Sequence, residues 1–583
     1  MGSIRQVAAF AKPYKRFILL APLLMLLEVA MDLLQPSMIQ RIIDEGIAQG
    51  SMPVIVRTGL MMFGFALIGA VGGGGNGVLA IKAQQGYAAD LRDALFRKVQ
   101  SFSFANLDTI ETGQLITRLT NDVTQVAEVL MTLIRMLIRA PLQLIGSLIM
   151  SIVTCPQLAF IPLALMPLLL IYVIWVVKKA TPMYGVVQTR LDGLNGVMQE
   201  NLAGARVVKA FSRAEHEGSR FKDANEKLVD QTIRVARLTA TAMPIMMVLM
   251  NLGVIAVLWF GGVDVSRGNM QVGQIVAFIN YLMITLTSLM MVSMMIMGVA
   301  RAQASAIRIS EVLDVEPVVQ NRPDALQAFG PQGRVVFENV SFGYHNNGEH
   351  SDAALEDISF EADAGQTVAL VGTTGSGKSS LVHLIPRFYD VDAGRVTIDG
   401  TDVRDLDQAV LRRAIGVAMQ ETVLFSGSIR DNIRYGRPDA TDAEVEEAAK
   451  IAQAHSFITG FPEGYDSIVG QRGVNLSGGQ KQRIAVARAL LIKPAVLILD
   501  DSTSSVDTET EARLQEALKD FMRGRTAFVI AQRISSVINA DKILVLDDGR
   551  IVGQGTHEEL MASNVIYREI CASQLGNGEV VHG

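Results

Sequence analysis

The chain reads as a multi-domain membrane protein: an all-α domain of six transmembrane helices, followed by an α/β domain built around a phosphate-binding loop. Three observations carry that reading. Six apolar stretches, each near the roughly 20 residues a helix needs to cross a bilayer, occupy 17–40, 55–81, 136–154, 158–177, 241–263 and 273–299. From Arg301 the apolar density falls, and short runs rich in β-forming residues begin. A complete Gly-x-x-x-x-Gly-Lys-Ser sequence then stands between a strand pattern and a helix pattern, the context that motif requires.

Composition agrees. At 583 residues the chain is too long for one core and suits two large units. Half of it is hydrophobic, 19% is charged, and the mean hydropathy is +0.31, values that point to membrane spans. A formal net charge of −6 supplies no concentrated basic face, so nucleic acid is not expected as a partner. The two cysteines, Cys155 and Cys571, fall in different units and imply no disulfide framework.

Arg5, Lys12, Lys15 and Arg16 precede the first span, which places the N-terminus in the cytoplasm. With no cleavable-looking leader there, the first apolar helix is expected to stay in the membrane. The links near 41–54, 155–157 and 264–272 are short and poor in Lys and Arg, as outside loops should be. Six crossings return the chain to the cytoplasm, and both termini are expected there. The segments after the second and fourth spans are long and charged, with helical runs at Leu91–Val99 and Val187–Gln199, so these helices should continue beyond the bilayer.

Two features of the spans invite functional readings. Glu28 and Asp32, four apart, share a helix face. Ionisable groups in a membrane are costly, so the pair either contacts cationic substrate or a gate, or is held by a basic or polar residue of a neighbouring helix. Pro36 is expected to kink the outer end of that helix. Met243, Met246, Met247, Met250, Met290, Met291, Met294, Met295 and Met297 suit an adaptable cavity or ordinary interhelical filling.

The domain boundaries read as 1–310 for the transmembrane domain, 311–333 for a linker, 334–575 for the nucleotide-binding domain and 576–583 for a tail. In the latter domain Val335–Tyr344, Ile358–Glu361, Val368–Val371 and Arg395–Ile398 are strand candidates, Asn346-Asn347-Gly348 a turn, and 421–490 a helical subdomain. Gly372, Thr373, Thr374, Gly375, Ser376, Gly377, Lys378 and Ser379 form the phosphate loop, with Ser380 opening a helix. Its glycines let backbone N–H groups wrap phosphate, Lys378 reaches the outer phosphates, and Ser379 offers a hydroxyl to Mg²⁺. ATP is therefore the expected ligand. Ser477, Gly478, Gly479 and Gln480 stand where a second helix begins, another phosphate-facing terminus. The apolar run 495–499 ends in Asp500 and Asp501, a buried strand delivering carboxylates at its C-terminal edge, one of them fit to hold Mg²⁺.

A phosphate loop followed by Leu476-Ser477-Gly478-Gly479-Gln480 and an acid-tipped strand resembles the nucleotide-binding domain of ABC transporters, and the whole layout resembles ABC exporters. The resemblance assigns roles by residue. Tyr344 stands where the family stacks an aromatic ring on adenine, Gln420 at the Q-loop beside the metal, and Asp507 at the end of the D-loop. Gly470–Gly473 resembles the X-loop, with Gln471 where exporters usually carry Glu. Phe104–Asp108 to Arg118–Asp122, and Arg206–Phe211, resemble intracellular loops whose tips transmit nucleotide-driven closure; plain solvated helix faces are the alternative. Gly555–Leu560 resembles the closing motif, with His557 structural.

Two departures matter. Asp501 stands where the family has the glutamate that polarises the attacking water, and Gln532 stands at the switch histidine. A carboxylate one methylene shorter is withdrawn by roughly an ångström, a misplacement that can cost about a hundredfold. Glutamine cannot take the proton-sharing role of imidazole. Both changes fall on the site of this chain's own phosphate loop, while its LSGGQ is intact. That asymmetry resembles the degenerate subunit of heterodimeric bacterial ABC exporters. It implies a half-transporter in a bacterial inner membrane, weakly hydrolytic at its own site. Its partner would be a second, different half-transporter carrying Glu and His, and amphipathic small molecules the cargo. A homodimeric lipid flippase and an ATP-gated regulatory subunit are the alternatives.

Overall fold

The computed structural model describes residues 2–346, 349–350, 353–502, 506–530, 533–534 and 537–575. They fall into two compact units. The first contains the chain up to Val99 together with Gly113–Val315; the second contains Gln100–Thr112 and the chain from Glu316 onward.

The first unit is all helix. Its principal elements are α1 (Lys15–Arg41), α2 (Met52–Gln100), α4 (Val123–Thr154), α5 (Phe160–Ala203), α6 (Ala242–Ser266) and α7 (Val272–Asp314), while the short α3 (Phe104–Thr109) belongs to the second unit. Six helical stretches among the described residues are long and apolar enough to cross a membrane, and each overlaps one of the spans read from the sequence. The 49 residues of α2 extend about 70 Å at 1.5 Å per residue, far more than the roughly 30 Å of bilayer hydrocarbon. The helical runs at Leu91–Val99 and Val187–Gln199 are the extensions of α2 and α5.

Several polar groups inside this unit find partners on neighbouring helices, as an apolar surrounding favours. The buried Tyr281 hydroxyl donates to the Leu33 carbonyl at 2.8 Å, and Ser147 and Thr285 pair at 2.7 Å. Past α1, which runs through Pro36, the chain forms a π-helix, Ile42–Ile47. There the buried Asp44 accepts the Gly273 N–H at 2.7 Å, capping the first turn of α7. Glu28 and Asp32 meet Arg139 of α4 at 2.9 and 3.4 Å. Of the methionines, Met246 and Met250 are partly buried against the core while Met243 and Met247 are exposed; the side chains of Met294, Met295 and Met297 lie outside the described ones. Beyond Arg301, where apolar density falls, α7 continues to Asp314 because Ile309 and Val312, three apart, remain buried.

The second unit has two main sheets. β1 (Val335–Phe342), β2 (Leu355–Ala362) and β4 (Ala393–Ile398) form an antiparallel sheet with the two-residue strand Thr401–Asp402. β1 stops short of Tyr344 because the Gly343 N–H turns to the Asp392 carboxylate at 2.8 Å. The larger sheet runs in the order β9 (Arg550–Gly555), β8 (Lys542–Asp547), β3 (Thr367–Gly372), β7 (Thr526–Ile530), β6 (Val496–Asp500), β5 (Ile415–Ala418). It is parallel except for β9. Every residue of β6 is buried, as an unbroken apolar strand in a doubly covered parallel sheet should be. Registering Leu499 with Val529, and Ile530 with Leu370, brings the C-terminal ends of β3, β6 and β7 to one edge, where open parallel sheets place their ligands. Residues 429–491 supply the helical subdomain, packed on Ile433, Val445, Ala449, Ile484 and Leu490. Asn347 and Gly348 of the expected turn lie outside the described residues. Both cysteines are free and buried.

Candidate nucleotide and metal site

The loop from β3 to α8 (Lys378–Leu384) is built by backbone chemistry. Gly377, at φ 94°, is the residue before the helix, and a Cβ there would lie 2.7 Å from the Ala354 carbonyl, so only glycine fits. Lys378 donates to the carbonyls of Gly372 and Thr373 at 3.1 and 2.6 Å and to Ser376 at 3.3 Å. Burial pushes its ammonium below the usual lysine range, and Asp500 and Asp501 pull it back up.

Asp500 ends β6 with 2% exposure, and Ser379 donates to its Oδ1 at 3.0 Å. Burial raises this carboxyl above the usual aspartate range, opposed by the Ser379 hydrogen bond and by His383 and Lys378. A hydroxyl and one carboxylate side by side suit Mg²⁺, which takes the rest of its oxygen shell from phosphate and water. Among the described residues there is no cluster of three or more His, Cys, Asp or Glu that could hold a metal without such help. Gln420, just beyond β5, lines the same cleft. Bound there, Mg²⁺ would supply charge neutralisation on the phosphates.

Asp501 sits on the left-handed side of backbone space, at φ 47°, a region in which Asp is among the better tolerated residues. Its N–H donates to the Ile530 carbonyl at 3.1 Å, and its own carbonyl accepts from Gln482 at 3.4 Å. Gln532 lies outside the described residues.

These groups share one cleft of about 810 Å³. Tyr344, Gly372, Thr373, Thr374, Gly375, Gly377, Lys378, Ser379, Ser380, Gln420, Asp500 and Asp501 all line it. Ser376 is drawn in beneath the loop at 2% exposure. The Tyr344 hydroxyl pairs with Ser380 at 2.9 Å while its ring meets Tyr389 edge-on at 5.4 Å.

Ser477, Gly478, Gly479, Gln480 and Asp507 are not part of the lining. Ser477 caps α9 (Gly478–Leu491), accepting from Gln480 N–H while Gln480 Oε1 accepts from Ser477 N–H at 2.9 Å. Ser477 and Gly478 are exposed. Asp507 caps α10 (Thr508–Met522), accepting from Thr510 N–H at 2.9 Å.

Several residues of this unit escaped the sequence reading. His383 lies 3.6 Å from Asp500. Phe388 stacks on Phe104 of α3 at 4.2 Å, and Tyr389 donates to Asp108 of α3 at 2.7 Å. Glu569 and Ser573 of α11 (Val565–Leu575) line the cleft from the C-terminal end. No local motif marks them. His557 pairs with Tyr567 at 2.8 Å, a structural contact.

Comparison with known proteins gives a consistent picture. Residues 18–290 match the family model described as the ABC transporter transmembrane region, and residues 355–504 match the one described as ABC transporter. An uncharacterised ABC transporter ATP-binding protein of Bacillus subtilis (strain 168) is 42% identical over 573 residues, 98% of this chain and 99% of the relative. An ATP-dependent lipid A-core flippase of Syntrophus aciditrophicus (strain SB) is 36% identical over 496 residues, 85% of this chain and 82% of the flippase. A Bacillus subtilis (strain 168) protein provisionally named for multidrug export is 35% identical over 588 residues, covering 98% of this chain and 100% of its own. Among solved structures, a bacterial Atm1-family ABC exporter with ATP bound superposes with a TM-score of 0.79 at 27% identity, covering 97% of this chain and 99% of that one.

Proposed function

Because this chain belongs to the ABC transporter family, with the transmembrane and ATPase domains of an ABC exporter half-transporter, we propose that it is the degenerate-site subunit of a heterodimeric exporter. The observation that carries this reading is the split in its catalytic parts. Ser379, Asp500 and most of the phosphate loop line the cleft, and so does Asp501, an aspartate where the resemblance expects the water-polarising glutamate. The LSGGQ stretch is intact in sequence and lies outside that cleft, and its Ser477 and Gly478 are exposed, which suits contact with a nucleotide held by another subunit. Phe211, at the tip of the second intracellular loop, is 74% exposed, which suits an aromatic residue that docks on a partner.

In this reading ATP binds at two composite sites. At the first, this chain's Lys378 and loop N–H groups hold the phosphates, Ser379, Gln420 and Asp500 hold Mg²⁺, Tyr344 faces the base, and hydrolysis is slow. At the second, Ser477–Gln480 and Asp507 complete a partner site that carries Glu and His. Closure of the two sites drives alternating access, with Phe104–Asp108 transmitting it to the spans. The cargo class is amphipathic, drug-like compounds, taken from the cytoplasm or inner leaflet outward. A relative named as a lipid flippase and another named for multidrug export both support an amphipathic class. The membrane is a bacterial inner membrane, with both termini cytoplasmic.

The deciding experiment measures Mg²⁺-dependent ATP binding and hydrolysis by this chain purified alone in lipid. Bound ATP with negligible turnover is the expected result. Robust turnover that Lys378→Ala abolishes would overturn it in favour of a self-sufficient homodimer.

A further inference from the structure

Asp500 presents two oxygens to different neighbours. Oδ1 accepts from Ser379, while Oδ2 lies 3.6 Å from Nε2 of His383 on α8. That nitrogen is buried and has no hydrogen-bond partner, and an orphaned polar atom in such a place demands an account. The separation is just outside hydrogen-bond range, as contacts in unliganded sites often are before they tighten. Phe388, itself stacked on Phe104, packs against the ring with centroids 5.7 Å apart. A carboxylate that ligates a metal through one oxygen commonly has the other held by a hydrogen bond, which fixes its orientation.

We propose that His383 is a positioning residue for Asp500: its Nε2–H holds the carboxylate oxygen that Ser379 leaves free, so that the aspartate meets the nucleotide's divalent cation in one orientation. His383 touches neither nucleotide nor cation; it acts through Asp500. The inference rests on the reading of Ser379 and Asp500 as the cation's ligands.

The test is binding of Mn²⁺, read by EPR, to the full chain in lipid nanodiscs with and without AMP-PNP, together with AMP-PNP binding in EDTA. In His383→Leu the Mn²⁺ concentration for half-saturation should rise about tenfold, the lower end of what such outer-sphere partners contribute, while AMP-PNP binding in EDTA stays as in wild type. His383→Gln, whose amide nitrogen reaches nearly as far as Nε2, should stay close to wild type. If Leu at 383 proves incompatible with folding, the shorter His383→Asn takes its place and should weaken Mn²⁺ binding where Gln does not. The proposal is overturned if the Leu variant binds Mn²⁺ as wild type does, if Gln is as impaired as Leu or Asn, or if EDTA binding falls equally. A wild-type chain that binds AMP-PNP but no nucleotide-dependent Mn²⁺ would overturn the cation assignment itself as well.

Discussion

The Tyr389 hydroxyl donates to the Asp108 carboxylate at 2.7 Å, and the ring beside it, Phe388, stacks on Phe104 at 4.2 Å. Asp108 and Phe104 belong to α3, a six-residue helix whose place in the sequence is between two membrane spans. Burial, then the Asp108 contact, lifts the Tyr389 hydroxyl well above the ordinary tyrosine range, so it stays a donor at any physiological pH. Asn106 ties α3 further, donating to the Glu316 carbonyl at 3.1 Å.

If α3 transmits closure, Tyr389→Phe separates binding from transport. ATP affinity should stay within about twofold, while transport driven by a given ATPase rate falls. A hydrogen bond to a charged group is worth about 1.5–3 kcal/mol, enough to loosen the helix without unfolding the domain. Transport and ATPase measured together in proteoliposomes with the partner decide this; equal loss of both would count against coupling.

Lys378→Ala removes the ammonium at the mouth of the phosphate loop. ATP binding should weaken at least about tenfold, since a charge-assisted contact to phosphate exceeds the 1.4 kcal/mol that a factor of ten represents. Equilibrium binding of a fluorescent ATP analogue provides the check, with thermal unfolding confirming an intact fold.

If Asp501 and Gln532 limit hydrolysis, replacing them with the family's residues should raise turnover. Asp501→Glu combined with Gln532→His is expected to raise hydrolysis at this chain's own site by about 10- to 100-fold, given what an ångström of misplacement costs. The measurement is phosphate release by the assembled transporter whose other site is silenced. No gain would mean that more than these two side chains limits the site.

Arg139 is the cation between Glu28 and Asp32. Arg139→Ala should lower thermal stability, because it leaves two acids without their counter-ion in an apolar setting. Glu28→Gln should reduce transport of cationic compounds. Unchanged transport across a panel of cations would leave the trio a structural ion cluster only.

Much of the protein was legible in the chain. The spans follow from runs of apolar residues near bilayer length, and the phosphate loop from glycines that only one local conformation explains. Asp500 was legible because an unbroken apolar strand must end at the ligand-binding edge of a parallel sheet. These signals are local, carried by neighbours in sequence.

What only the tertiary structure decided joins residues far apart in the chain. Arg139 answers Glu28 across 111 positions, Tyr389 finds Asp108 across 281, and His383 comes to lie beside Asp500. No periodicity foretells such pairs. Each arises where helix packing or strand register brings two side chains together and leaves a charge or buried polar atom in need of a partner. The sequence by itself determined the elements and the loop chemistry; the packing decided which acids are held, by what, and in which direction they point.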